Sequence, residues 1–144
     1  MQVRELMTPN PETVSPATTI REAAEKMLAL NVGMMPVCEG ENMIGVVTDR
    51  DITTRAVAKR LDPNPTRVGD IMSPELVCCY EDDDIHDCIK LMEGSQVRRV
   101  PVLDREDRLV GVISLGDLAV RQRDNEEVKK LTEEALEQIS EPVR

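Results

Sequence analysis

Aromatic side chains are almost missing from this 144-residue chain, which has one Tyr and no Phe or Trp. Any core must therefore be filled by Val, Ile, Leu, Ala and the eight Met, the last being adaptable packing. No run approaches the ~20 apolar residues of a membrane span, and the N-terminal "MQVRELMTPNPETV" lacks the apolar core of a signal peptide. A cytoplasmic location is the expectation. The four cysteines, Cys38, Cys78, Cys79 and Cys88, form no CxxC pair. In a reducing compartment they read as core thiols.

Positive charge is scarce as well. Eighteen Lys and Arg face 28 Asp and Glu, a formal net charge of −10. That argues against a nucleic-acid binder, which needs a basic face to displace counterions; local arginines can still hold one small anion. Catalytic sets are lacking: no Ser/His/Asp or Cys/His group, no P-loop and no GxGxxG. The single histidine, His86, sits beside the apolar positions of its segment and reads as an exposed helical residue rather than a metal ligand. "EDDD", Glu81–Asp84, reads first as an acidic helix start, with Mg²⁺ binding beside a phosphate as the alternative.

What the chain does have is a repeat. Shifted by 65, "VRELMTP" (Val3–Pro9) falls on "VGDIMSP" (Val68–Pro74), Ile20 on Ile85, Met27 on Met92, Val32 on Val97, and Pro36-Val37 on Pro101-Val102. One extra residue enters in the turn at 103–108. At a shift of 66, Gly45 then meets Gly111, Thr48 meets Ser114 and Asp51 meets Asp117. Registry over some fifty residues with one slip marks a duplicated unit.

Each copy reads as β-α-β-β-α, an α+β unit. A turn ending in Met-Thr/Ser-Pro precedes a short strand, "ETVS" or "LVCCY". In the first helix Thr19 and Glu22 form a capping box, and Ile20, Ala23, Ala24, Met27 and Leu28 recur at helical spacing. In its counterpart Asp84 caps, Ile85, Cys88, Ile89 and Met92 make the apolar face, and Gly94 stands near the stop. Two β-runs joined by a polar turn follow ("MPVCE" and "MIGVVT"; "VPVLD" and "RLVGVIS"), then a second helix. The expected organisation is a first repeat at 1–60, a Pro-stiffened linker at 61–67, a second repeat at 68–123, and a C-terminal helix and tail at 124–144. In that last segment Val128, Leu131, Ala135 and Ile139 share one helical face. It packs either on its own domain or in a dimer.

The motif worth following is "GVVTDRDI", Gly45–Ile52, and its echo "GVISLGDL", Gly111–Leu118. A buried strand ends in a hydroxyl, and a carboxylate follows three residues later, one helical turn on, so both can face one point. Free N–H groups of a helix start lie there too. A vicinal diol can donate to the carboxylate while a phosphate accepts from the hydroxyl and N–H groups, which describes a ribose-phosphate site. The competing reading is a plain N-cap, with an acidic residue at the third position.

These segments, with "QVRRVPV", resemble the cystathionine-β-synthase (CBS) motif, and the pair resembles a Bateman module of the small stand-alone bacterial kind, over about residues 3–121. The resemblance implies tandem repeats with pseudo-twofold symmetry. It implies a non-catalytic sensor whose regulatory ligand is an adenosine nucleotide (AMP, ADP or ATP, with Mg²⁺ as an optional companion), S-adenosylmethionine or NAD. No cofactor is required. It assigns ribose and phosphate contacts to Thr48 and Asp51 and to Ser114 and Asp117, and base-pocket walls to Met34 and Pro36 and to Arg99 and Pro101, with Val14 and Cys79 as further candidates. Arg50 lies inside the first motif and Arg98-Arg99 lie one strand before the second, so each site has a nearby cation for a phosphate. A homodimer and a separate protein partner that reads the ligand state are also implied. The alternative is a constitutive scaffold with vestigial clefts.

Overall fold

The computed structural model describes residues 1–74 and 77–140. The chain opens with a 3₁₀ turn at Val3–Glu5 and runs through β1 (Thr8–Pro9), α1 (Ile20–Leu30), β2 (Met34–Glu39), β3 (Asn42–Thr48) and α2 (Asp49–Ile52). Here α2 widens into a π-turn at Thr53–Val57. After α3 (Val68–Ile71) come β4 (Cys79–Tyr80), α4 (Ile85–Ser95), β5 (Arg99–Leu103), β6 (Leu109–Ser114), α5 (Leu115–Arg121) and α6 (Glu126–Ser140). After its first strand, each copy takes the α-β-β-α order expected of it. No helix among the described residues is long and apolar enough to cross a membrane.

The repeats in the sequence and the folded units are cut differently. One compact unit is continuous, Glu12–Leu76; the other joins Met1–Pro11 to Val77–Arg144. Each copy's leading segment therefore folds onto the other copy's strands and helices. The same three bonds hold it in both places. Val3 N–H donates to Asp83 O at 2.9 Å, as Val68 N–H does to Thr18 O at 2.7 Å. Arg4 N–H reaches Glu81 O at 2.9 Å, as Gly69 N–H reaches Pro16 O at 3.0 Å. Met1 O accepts from Ile85 N–H at 2.9 Å, as Thr66 O accepts from Ile20 N–H at 3.0 Å.

In the discontinuous unit the sheet order is β1-β6-β5-β4. β1 and β5 flank β6 antiparallel, and β4 runs parallel to β5. In the continuous unit β2 and β3 pair antiparallel, and isolated bridges at Val14–Val37 and Val46–Ser73 occupy the two outer places. The first strand expected in each copy shrinks to the Val14 bridge and to Cys79–Tyr80, while Leu76 of the expected "LVCCY" lies outside the described residues. Pro11 and Pro16 bracket Val14 and cannot donate to a ladder.

The helix starts follow their caps. Thr19 Oγ1 accepts from Glu22 N–H and Asp84 from His86 N–H. The expected box at Thr19 is only half made, because the Glu22 carboxylate takes the Thr19 hydroxyl rather than its N–H. Gly94 does not end its helix. The left-handed caps are Asn31 (φ 55°) and Gln96 (φ 56°), which match at the 65-residue shift.

The continuous unit buries Val14, Ile20, Ala23, Met27, Met35, Val37 and Val47 together with Val68 and Ile71 of the arriving segment. The other buries Val3 and Leu6 with Ile85, Ile89, Met92, Val100, Ile113, Leu115 and Leu118. Helix α6 packs on α4 and α5 of that unit, with Val128 and Ala135 fully inside. This is the intra-domain alternative for the C-terminal helix; residues 141–144 of its expected tail lie outside the described residues. The expectation of four core thiols is corrected for two of them, since Cys79 and Cys88 are joined as a disulfide while Cys38 and Cys78 are free.

The acidic run is spent locally. Asp84 caps α4, Asp83 accepts from Tyr80 N–H at 2.8 Å, and Asp82 pairs with Arg105 at 2.8 Å. His86, half-buried, sits 2.9 Å from Asp84 and 3.2 Å from Glu127 on α6. Among the described residues no group of three or more His, Cys, Asp or Glu is placed to hold a metal ion.

Candidate functional site

The two motifs occupy the same place in each unit, where the second strand of a hairpin turns into a helix. Strand register brings the assigned residues together. Met34 lies directly opposite Thr48 and Pro36 opposite Val46; in the other unit Arg99 lies opposite Ser114 and Pro101 opposite Val112. A main-chain bond closes each junction, from Asp49 N–H to Gly33 O and from Leu115 N–H to Arg98 O, both 2.9 Å. Each hydroxyl caps the new helix. Thr48 Oγ1 accepts from Asp51 N–H and Ser114 Oγ from Asp117 N–H, both at 3.0 Å.

The motif glycines make room for backbone. A Cβ on Gly45 would stand 2.6 Å from Ser73 O, and one on Gly111 would stand 3.0 Å from Thr8 O and 2.5 Å from Met7 Sδ. In both cases the neighbour is the Met-Thr/Ser-Pro segment of the other copy. At position 33 a Cβ would meet the Asp49 carboxylate at 2.9 Å, the end of an exposed side chain rather than backbone. The second copy puts buried Leu115 where the first has Asp49, and its position 98 carries Arg.

The carboxylates differ. Asp51 is 6 % exposed and already bonded within its own chain. Its Oδ2 accepts from Thr48 N–H at 3.0 Å, completing a capping box, and the Ser73 hydroxyl donates to it at 3.2–3.3 Å. The Arg55 guanidinium stands 3.7 Å from Oδ1 and also donates to Ile71 O, Met72 O and Ser73 Oγ. The first motif is thus also the plain cap that the sequence left open. Asp117 is half-buried and makes no reciprocal bond to Ser114 N–H, although Ser114 itself is 5 % exposed.

Of the candidate cations, Arg99 is half-buried beside Ser114, and Arg50 and Arg98 are exposed. Arg55, Ser73 and their counterparts were not singled out in the sequence. The signal was present: Arg55 falls on Arg121 at a shift of 66, Thr8 falls on Ser73 at 65, and Arg121 donates to Thr8 Oγ1 at 3.3 Å as Arg55 does to Ser73 Oγ.

Known proteins share this architecture. The CBS domain profile matches residues 3–58 and again 68–123. The CBS domain-containing protein YhcV of Bacillus subtilis (strain 168) is 44% identical over 124 residues, covering 86% of this chain and 87% of that one. Among solved structures, a hypoxic response protein I with two coordinated zinc ions superposes with a TM-score of 0.76 at 31% identity, over 83% of this chain and 98% of that one. CBSX2 in complex with AMP gives 0.72 at 26% identity, over 85% and 96%. Two matched repeats, with a hydroxyl and an Asp at the same strand-to-helix junction in each, identify the chain as a member of the CBS domain family, built as a CBS domain pair.

Proposed function

We propose that this protein is a non-catalytic regulatory module that binds an adenosyl ligand at its strand-to-helix junctions and signals the bound state to a separate protein partner. The observation that carries the reading is the cross-strand pairing of a wall residue with the motif hydroxyl in both units, Met34 with Thr48 and Arg99 with Ser114. The AMP complex of CBSX2 supports the ligand class. Asp117 accepts the ribose hydroxyls, and Ser114 Oγ lies beside the phosphate. Arg99 supplies the positive charge that a phosphate needs on a protein of net charge −10. Pro101 and Met34 with Pro36 give aliphatic walls for the purine. Arg50 and Arg98 are the outer cations, and Mg²⁺ accompanies the phosphates if a di- or triphosphate is the ligand.

Signalling needs two states that the ligand binds with different affinity, since equal affinity shifts nothing. The working form under this reading is a cytoplasmic homodimer. Calorimetry with AMP, ADP, ATP, S-adenosylmethionine and NAD tests it: at least one binds below millimolar concentration. Absence of binding by all five at that concentration contradicts the reading.

One observation favours the scaffold alternative for the first copy. Asp51 already accepts from Thr48 N–H and the Ser73 hydroxyl and stands 3.7 Å from the Arg55 guanidinium, whereas Asp117 makes no reciprocal bond to Ser114 N–H. A vestigial first site with a working second one follows from that difference.

A further inference from the structure

The internal repeat supplies its own comparison at one pair of positions. Val14 and Ala23 of the first copy fall, at a shift of 65, on Cys79 and Cys88 of the second. Val14 and Ala23 are ordinary core residues, 4% and 0% exposed. Cys79 and Cys88 hold the same places in the other unit, both 1% exposed, and are bonded to each other with Cα atoms 6.1 Å apart. That separation lies in the range disulfides span. We propose that Cys79–Cys88 is a reversible redox staple, laid over packing that holds without it.

Three observations support this assignment. The sister pair shows that a strand residue and a helix residue at these positions pack by apolar contact alone, so loss of the bond leaves a core intact. The bond anchors a weak element: β4 has two residues and pairs with β5 only at Cys79–Val102 and Tyr80–Leu103. β5 carries Arg99 and Pro101, so the staple ties the α4 side of the unit to the strand next to the candidate site. Finally, the neighbouring thiol is a poor competitor. Cys78 is half-buried, and burial, with Asp107 and Asp83 nearby, pushes its thiol up from the ordinary range. It therefore supplies little thiolate for exchange.

A low-molecular-weight disulfide is a sufficient oxidant. The thiolate of one cysteine attacks a sulfur of RSSR, releases one RS⁻ and leaves a mixed disulfide. The thiolate of the other then attacks the protein sulfur and releases the second RS⁻. The protein loses two protons and two electrons, and RSSR becomes two thiols. Both sulfurs are buried, so exchange proceeds through local opening of the unit and is slow in the native state.

The test uses the full chain equilibrated with oxidised glutathione or with dithiothreitol, then alkylated under denaturing conditions and peptide-mapped. The expected result is two alkylated thiols after oxidation, Cys38 and Cys78, and four after reduction. Far-UV circular dichroism is the same in both forms, and the oxidised form melts higher by on the order of 10 °C. The double variant Cys79→Val, Cys88→Ala writes the first copy's pair into the second; it folds, and its melting midpoint ignores the redox state. Four free thiols after oxidation, or a bond to Cys78, Cys38 or glutathione instead, overturns the proposal. So does a reduced protein that is unfolded at 25 °C, or a double variant whose midpoint still moves with reductant.

Discussion

The Ser73 hydroxyl donates to the Asp51 carboxylate at 3.2 Å from a segment that belongs, in the sequence, to the head of the second repeat. The matching residue in the other unit, Thr8, is bonded by Arg121 and leaves Asp117 alone. One duplicated motif has therefore become two different environments for the same carboxylate, one bonded by the leading segment's hydroxyl and one, among the described residues, without that bond.

Removing the closing hydroxyl separates its two effects. Ser73→Ala leaves a buried carboxylate short of one donor, at a cost of about 1–3 kcal/mol. Urea denaturation should show that loss in the unit spanning residues 12–76. The same variant should bind AMP no more weakly than wild type, because the freed Asp51 oxygens become available to a diol. Thr8→Ala, at the matching position, should cost less, since no buried carboxylate depends on it.

The motif glycines should not be equally replaceable. Gly45→Ala drives a Cβ to 2.6 Å from the Ser73 carbonyl, a backbone atom with nowhere to go. Gly111→Ala first meets Met7 Sδ, the end of a flexible side chain, and only then Thr8 O at 3.0 Å. Overpacking costs about 1–3 kcal/mol; Gly45→Ala belongs at the upper end and Gly111→Ala at the lower. Thermal midpoints of the two variants check the order.

Acid should act on the discontinuous unit through three carboxylates. The backbone N–H of Arg108, helped by its side chain and by Glu106 N–H, holds the Asp104 carboxyl below the usual range. The His86 N–H does the same for Asp84, and the Arg105 side chain for Asp82. A carboxyl lowered in the folded state stabilises above its unfolded value of about 3.9 and loses that contribution as pH falls through the folded value. Stability measured by denaturation should therefore drop on acidification below about pH 4. Asp104→Asn should flatten that part of the profile while leaving the slope above pH 6 unchanged.

Much of this was legible in the sequence because duplication wrote it twice. The hairpins, the helix faces around Ile20 and Ile85 and the caps at Thr19, Asp84, Thr48 and Ser114 all follow from spacing and residue type. Three things did not. The leading segments at Val3 and Val68 carry the same apolar pattern, so local sequence is silent about which unit each one joins. Gln96 took the left-handed cap although Gly94 was the better local candidate, and it stands where Asn31 does in the first copy. The Cys79–Cys88 bond depends on a strand and a helix meeting in space, and a spacing of nine residues carries no such signal.

At the site, the hydroxyl and carboxylate pairs and their cross-strand walls were readable from the motif and the family likeness. The tie of Arg55 and Ser73 to Asp51 was not read, because it joins residues 18 and 22 apart across a crossover that the linear pattern hides.

Isothermal calorimetry of AMP with the wild-type chain, Asp51→Asn and Asp117→Asn is the most direct test of the ligand-binding account. Losing a bond from a ligand hydroxyl to a charged carboxylate costs about 1.5–3 kcal/mol, roughly 10- to 150-fold in affinity. Asp117→Asn should weaken binding by that much, and Asp51→Asn, whose carboxylate is already engaged, should weaken it less. Wild-type affinity retained in Asp117→Asn, or a larger loss in Asp51→Asn, would contradict it.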